Sequence, residues 1–274
     1  MNKPIFIVGN PGSGTALLCA ILNWHKDVGP KHLVMIRHKN INHFIDGLAD
    51  KKWHWIYNEL TEQTETWNRI LPDTELGQRG FLDRLSKEVL KQQNTAKTFE
   101  QLTEDDRQWI ANRLSGIKFS DGQYHHVNHP RYLSKRPENL LRLRHIKWLF
   151  EDSIIIALVR SGRGVIGARA YQDGGSRTSI DRELGNWYNG LFYLSQNKSL
   201  VNQIVVYEDL LADVKGVSEK VFETCCLTDE EYLGTIKVQD RTKVWSERIA
   251  PEHHEYIIKE TERGDALIET WKSR

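Results

Sequence analysis

Apolar positions along the chain alternate between two rhythms. Pro4-Ile5-Phe6-Ile7-Val8 is a short β-branched and aromatic run bounded by Pro and Gly, the pattern of a buried, parallel strand. Residues 15–24 follow with Leu17, Leu18, Ile21 and Leu22 at helical spacing. Downstream the same pairing recurs. The pattern predicts a helix over 140–150, then Ile154-Ile155-Ile156-Ala157-Leu158-Val159, the strongest strand in the chain. Helices over 162–171 and 179–194 precede a strand over 203–207, closed by Glu208-Asp209. Two further helices cover 214–225 and 251–271, the second opened by Pro251 in its first turn. Strands alternating with helices predict an α/β fold, a central parallel sheet with helices on both faces.

One stretch breaks this rhythm. Residues 40–118 are polar and helix-patterned, with Trp53, Trp55, Trp67 and Trp109 and no convincing strand. They read as a helical insertion over the sheet edge within a single domain spanning 1–274. The aromatics read first as packing residues, and such a layer can also wall a substrate pocket.

Composition narrows the class. Hydrophobic residues make up 39% and charged residues 27%, which fits a globular protein and excludes a disordered one. A net charge of +1 points to neither a nucleic-acid nor a membrane partner, so any anion site must be local. No apolar run approaches the roughly 20 residues that span a bilayer. The first apolar run ends in a Gly-rich turn and not at a cleavage site, so a signal peptide is not expected. Cys19 falls on the apolar face of its predicted helix, while Cys225 and Cys226 are adjacent, a spacing that suits neither a normal disulfide nor zinc. A reducing, cytoplasmic setting without cysteine chemistry or metal is expected.

The chemistry concentrates in the turn Gly9-Asn10-Pro11-Gly12-Ser13-Gly14-Thr15, between the first strand and the first helix. Glycines let the backbone curl so that several N–H groups converge, and the helix dipole adds positive charge there. Ser13 and Thr15 add hydroxyl donors. The spacing is P-loop-like, but Thr15 stands where a nucleotide-triphosphate loop has lysine, which disfavours ATP chemistry. The bland alternative is a strand–turn–helix corner with glycines for packing.

Other candidates follow later strands. Arg160 ends the strongest strand, where open parallel sheets bind ligands, and can meet a second phosphate in bidentate fashion. Arg163 and Arg169 on the next helix are less constrained. Lys135 follows a short extended segment and can neutralise charge on a transferring group. Tyr207 ends a strand and can stack on a base or bond a phosphate. Taken singly, each also reads as ordinary surface or core.

Together these residues resemble a family. Val8 to Leu18 with His25-Lys26-Asp27-Val28 resembles the 5′-phosphosulfate loop and first helix of sulfotransferases that use 3′-phosphoadenosine 5′-phosphosulfate, of the bacterial, cytosolic type. Lys135-Arg136-Pro137 resembles their Lys-Thr-Pro segment. Ile156 to Arg160, continuing to Ile166, resembles their 3′-phosphate strand and helix. Val206-Tyr207-Glu208-Asp209-Leu210 is similar to their Tyr-Glu-Asp-Leu block, and Trp245 with Ile249 to Glu252 resembles their closing helix. The blocks run in order along nearly the whole chain.

The resemblance implies sulfuryl transfer to a hydroxyl or amine of a small organic acceptor, with no metal. It places the donor's 5′-phosphosulfate on Gly12, Ser13, Gly14, Thr15, Ala16 and Leu17. It gives the 3′-phosphate to Arg160, with Ala168 at a matching position and Arg241 or Lys243 assisting. Lys135 would face the transferring group, and Tyr207 would line the nucleotide site. His32 is the first candidate for the base that takes the acceptor's proton; His38, His125, His126 and His129 are rivals.

Three positions depart from the family pattern. Gly12 replaces an Arg or Lys, Ala16 a Thr, and Ala168 a Ser. The change at Gly12 predicts a slow enzyme or the recruitment of another cation such as Lys31 or Arg37. Two alternatives remain open on sequence: a nucleotide-binding protein with little or no catalysis, and a nucleotide kinase-like protein. Oligomeric state is also open, a homo-oligomer included.

Overall fold

The computed structural model describes residues 2–23, 25, 28–29, 104, 131–228, 238 and 244–272. The chain divides into two compact units. One comprises Met1–Ile36, His129–Leu143 and Asp152–Arg274, the other Arg37–Asn128 and Arg144–Glu151. Apart from Glu104, the insertion expected over 40–118 lies outside the described residues. Of the second unit, Glu104 and residues 144–151 are described; in the latter Phe150 N–H donates to Ile146 O at 2.8 Å, continuing a helical turn.

The first unit is built on a five-stranded sheet. Its strands are β1 (Asn2–Gly9), β2 (Val28–Gly29), β3 (Arg131–Lys135), β4 (Ile154–Val159) and β5 (Gln203–Val206), in the order β2-β3-β1-β4-β5. Every pairing is parallel. The expected α/β class and parallel sheet are therefore present. Sequence patterning missed β2, which has only two residues, and read β3 only as an extended segment. Tyr207, expected to end β5, instead opens a helix.

The described α-helices are α1 (Thr15–Asn23), α2 (Leu143–Leu149), α3 (Gly162–Arg169), α4 (Arg177–Gln196), α5 (Tyr207–Ala212), α6 (Val214–Thr224), α7 (Val244–Arg248) and α8 (His254–Glu269). Side chains alternate across each strand. Ile5 and Ile7 of β1 and Ile156 and Leu158 of β4 join Leu18, Leu22, Leu210 and Phe222 in one core, under α1, α5 and α6. Phe6, Val8, Ile155 and Ala157 alternate to the other face and are fully buried too, so both faces are covered. None of the described helices is long and apolar enough to cross a membrane.

On the second face α3 stands on unusual terms. Gly162, Gly164 and Gly167 occupy eight residues of helix, at about 1 kcal/mol each relative to alanine. Tertiary packing compensates. A Cβ on Gly162 would strike Thr261 and Trp187, and one on Gly167 would strike Trp245. The glycines thus let α3 approach α8, α4 and α7 closely. α4 starts from Ser176, whose side chain accepts the Ser179 N–H at 3.2 Å.

Strand register fixes what meets at the C-terminal edge. Ile7 pairs with Lys135, Gly9 with Leu158, and Val159 with Val206. The segments after β1, β3, β4 and β5 therefore emerge side by side. β1 and β4 are neighbours whose onward connections leave in opposite directions, to β2 and to β5. That is a topological switch point, where open parallel sheets form their ligand crevice.

Candidate functional site

The turn after β1 is held open by backbone geometry that favours glycine. Gly12 and Gly14 have φ of +91° and +96°. A Cβ on Gly14 would collide with the ring of Tyr207. Ser13 N–H donates to Asn10 O at 3.0 Å, and Leu17 N–H closes the first turn of α1 on Gly14 O at 2.9 Å. The earlier amides of α1 lack intrahelical acceptors and point out of its N-terminus, where the helix dipole is positive.

Two anchors hold this turn. Asn10 is buried, and its Nδ2 donates to Trp187 O at 2.9 Å. Arg160 Nη1 donates to Gly12 O at 3.0 Å. The Arg160 guanidinium also lies over the Tyr207 ring, 4.3 Å from its centroid, and Gly164 lets it pack against α3. Trp187 Nε1 in turn donates to Arg160 O at 3.2 Å. Trp187 therefore fixes the backbone of Arg160 through its buried indole and the side chain of Asn10 through its main-chain carbonyl.

The structure brings the sequence candidates together. Gly12, Ser13, Gly14, Thr15, Ala16 and Leu17 form the turn and the start of α1. Arg160 touches the turn directly, and Tyr207 supports it as a buried platform. The Cβ of Ala168 lies 3.5 Å from where a Cβ on Gly12 would stand. Lys135 ends β3 on the same edge, one strand over. His32, Arg241 and Lys243 lie outside the described residues, as do Lys31, Arg37, His38, His125, His126 and His129. Among described histidines, His25 is wholly buried, edge-on to Phe222, with Nε2 3.1 Å from Thr228 O; it belongs to the core.

Ser13 carries a further signal. Its Oγ is buried and has no hydrogen-bond partner among the described residues. An unmade bond there costs roughly 1–3 kcal/mol. A ligand oxygen on the turn would supply the missing partner, so the residues present fit a phosphate or sulfate group.

The next strand–helix corner is different. Ser161 N–H donates to Glu208 Oε1 at 3.2 Å, and Gly162 N–H to Asp265 Oδ1 at 2.8 Å. Burial raises the Asp265 pKa above its ordinary 3.8, although the Gly162 hydrogen bond and the nearby Arg163 oppose the rise. Burial also pushes the Cys19 thiol up to about 12, against the charge of Lys135, which leaves the thiol inert at neutral pH.

Sequence reasoning missed Trp187, Asn10 and the two carboxylates. Trp187 carries no local signal, because its role arises only when α4 crosses the turn. Asn10 lay inside the recognised motif, and the glycines drew attention from it. Arg169, read as less constrained, lies against Gly12: a Cβ on Gly12 would come 3.1 Å from Arg169 Cγ.

The sequence matches the model of the Sulfotransferase family over residues 4–231. Among solved structures, the chain is similar to the sulfotransferase domain from the Synechococcus PCC 7002 olefin synthase. The two are 17% identical, with 100% of this chain and 90% of that one covered and a TM-score of 0.50. The sulfotransferase domain from the curacin biosynthetic pathway is 18% identical, over 100% and 91%, with a TM-score of 0.47. The sulfotransferase from Alicyclobacillus acidocaldarius is 16% identical, over 100% of both chains, also with a TM-score of 0.47. At 17% identity the likeness to the olefin-synthase domain speaks to the fold alone. No curated protein matches the sequence.

Proposed function

The chain belongs to the sulfotransferase family, and from that premise we propose that it uses 3′-phosphoadenosine 5′-phosphosulfate as donor and a hydroxyl or amine of a small organic molecule as acceptor. The observation that carries this reading is the direct bond between Arg160 and the glycine turn. It joins two candidate anion contacts, 148 residues apart in sequence, at one switch point of the sheet.

The donor supplies an electrophilic sulfur, whose bond to the phosphate oxygen breaks as the acceptor's oxygen or nitrogen bonds to it. The amides of residues 14–16, which the turn does not spend on itself, and the hydroxyls of Ser13 and Thr15 hold the 5′-side anion. Arg160 meets the 3′-phosphate, a guanidinium fork being able to serve that oxyanion and the Gly12 carbonyl together. Arg241 and Lys243 assist it. Lys135 neutralises charge that develops on the bridging oxygen. His32 takes the acceptor's proton. The spacing of the cysteines suits a cytoplasmic setting.

Calorimetry tests the donor. Adenosine 3′,5′-bisphosphate is expected to bind at micromolar strength and ATP with magnesium far more weakly; equal or reversed preference would sink the reading. Incubation with donor and a panel of acceptors should give a sulfated product. Lys135→Ala and His32→Asn should each cut its formation about a hundredfold or more, and unchanged rates would remove those two roles.

A further inference from the structure

A second arginine lies against the anion-binding turn. The aliphatic stem of Arg169 occupies the space that a side chain on residue 12 would enter, with its Cγ 3.1 Å from the Cβ position of Gly12. The guanidinium is not left to wander. Its Nη1 donates to Gln172 Oε1 at 3.1 Å, and its Nε lies 3.8 Å from Glu183 Oε2. Glu183 is 5% exposed, and its other oxygen accepts from Arg182 Nε at 3.2 Å. Two guanidiniums therefore share one buried carboxylate. Arg182 also pairs with Asp173, but that pair is half in water and screened. The two arginines balance Glu183 and Asp173 in formal charge, and of the four side chains Arg169 is the one whose stem lies against the turn.

We infer that Arg169 is a second cation for the oxyanion seated on the 10–14 turn, acting from the end of α3 in place of a side chain on residue 12. Glu183 holds the guanidinium there and fixes its direction. The inference rests on the donor-binding reading of the turn. Its chemical class is a tetrahedral oxyanion on the 5′ side of the nucleotide, phosphate or sulfate.

The test titrates adenosine 3′,5′-bisphosphate and adenosine 5′-monophosphate into the wild-type chain, Arg169→Ala and the double variant Arg169→Gln/Glu183→Gln. Arg169→Ala is expected to weaken both ligands by the same factor, roughly ten- to a hundredfold, as one charge-assisted hydrogen bond is lost. Unchanged affinity overturns the inference. So does a loss confined to the bisphosphate, which would assign Arg169 to the 3′ end. If Arg169→Ala fails to fold because Glu183 loses a partner, the double variant decides. It removes both charges, keeps both stems, and should show the same loss for both ligands; wild-type affinity there overturns the assignment. A wild-type chain that binds neither ligand brings down the donor reading and this inference with it. Wild-type binding with an unaffected variant brings down the inference alone.

Discussion

Two strand–helix corners stand side by side on the sheet edge, and they treat their helix N-termini in opposite ways. After β1, a turn with positive φ at Gly12 and Gly14 leads into α1, and cations gather around it. After β4, the first amides of α3 are already taken by Glu208 and Asp265. Both corners have the dipole that attracts an anion. The first shows no carboxylate on its amides among the described residues; at the second the protein's own carboxylates take them, beside a cavity lined by Ser161, Arg163, Glu208, Asp265 and Lys272. Helix position on an α/β sheet thus nominates two sites, and local chemistry selects one.

The first corner is the easier to break. Gly14→Ala forces a side chain into the Tyr207 ring at a backbone angle that L-residues resist. Together these should destabilise the fold by about 2–4 kcal/mol and abolish measurable nucleotide binding. Chemical denaturation with calorimetry checks both, and a stable, binding-competent variant would show that the turn geometry is unnecessary.

Arg160→Ala should act less globally. It removes the tie to Gly12 O and the contact over Tyr207. Affinity for adenosine 3′,5′-bisphosphate should fall by about 1.5–3 kcal/mol, and affinity for adenosine 5′-monophosphate much less. Equal losses for the two ligands would make Arg160 a support for the turn and not a 3′-phosphate contact.

The second corner should respond most gently, and through pH. Asp265 has a raised pKa in the folded chain, so the fold binds its proton more tightly than the unfolded chain does. The charged form is then a burden that appears as pH rises from about the ordinary carboxylate value through the raised one. Asp265→Asn keeps an oxygen for Gly162 N–H and removes that charge. The variant should gain stability relative to wild type as pH rises through this window, then hold the gap constant. A gap that shrinks with rising pH would mean that the pKa is depressed and that the carboxylate supports α3 electrostatically.

Much of this fold was legible in residue pattern. β4, buried along its whole length, and the spacing of Leu18, Ile21 and Leu22 announce strand and helix directly. β2 was not, because two residues cannot display a period. Tyr207 looked like a strand end, since β-branched residues precede it, yet the chain turns into α5 there and leaves its ring beneath Gly14. At the site, the turn and Arg160 were visible because glycine and strand-terminal arginine are local signals. Trp187 and Arg169 were not. Each acts through packing between elements far apart in sequence, and nothing in the neighbouring residues encodes which surface they will meet.

The central claim is that an external anion binds at the α1 corner and not at the α3 corner. A crystal structure of the chain with adenosine 3′,5′-bisphosphate tests it most directly. The 5′-phosphate should lie on the amides of residues 14–16, within hydrogen-bond reach of Ser13 Oγ. A phosphate bound instead at Ser161 and Gly162, with Glu208 and Asp265 displaced, would contradict it.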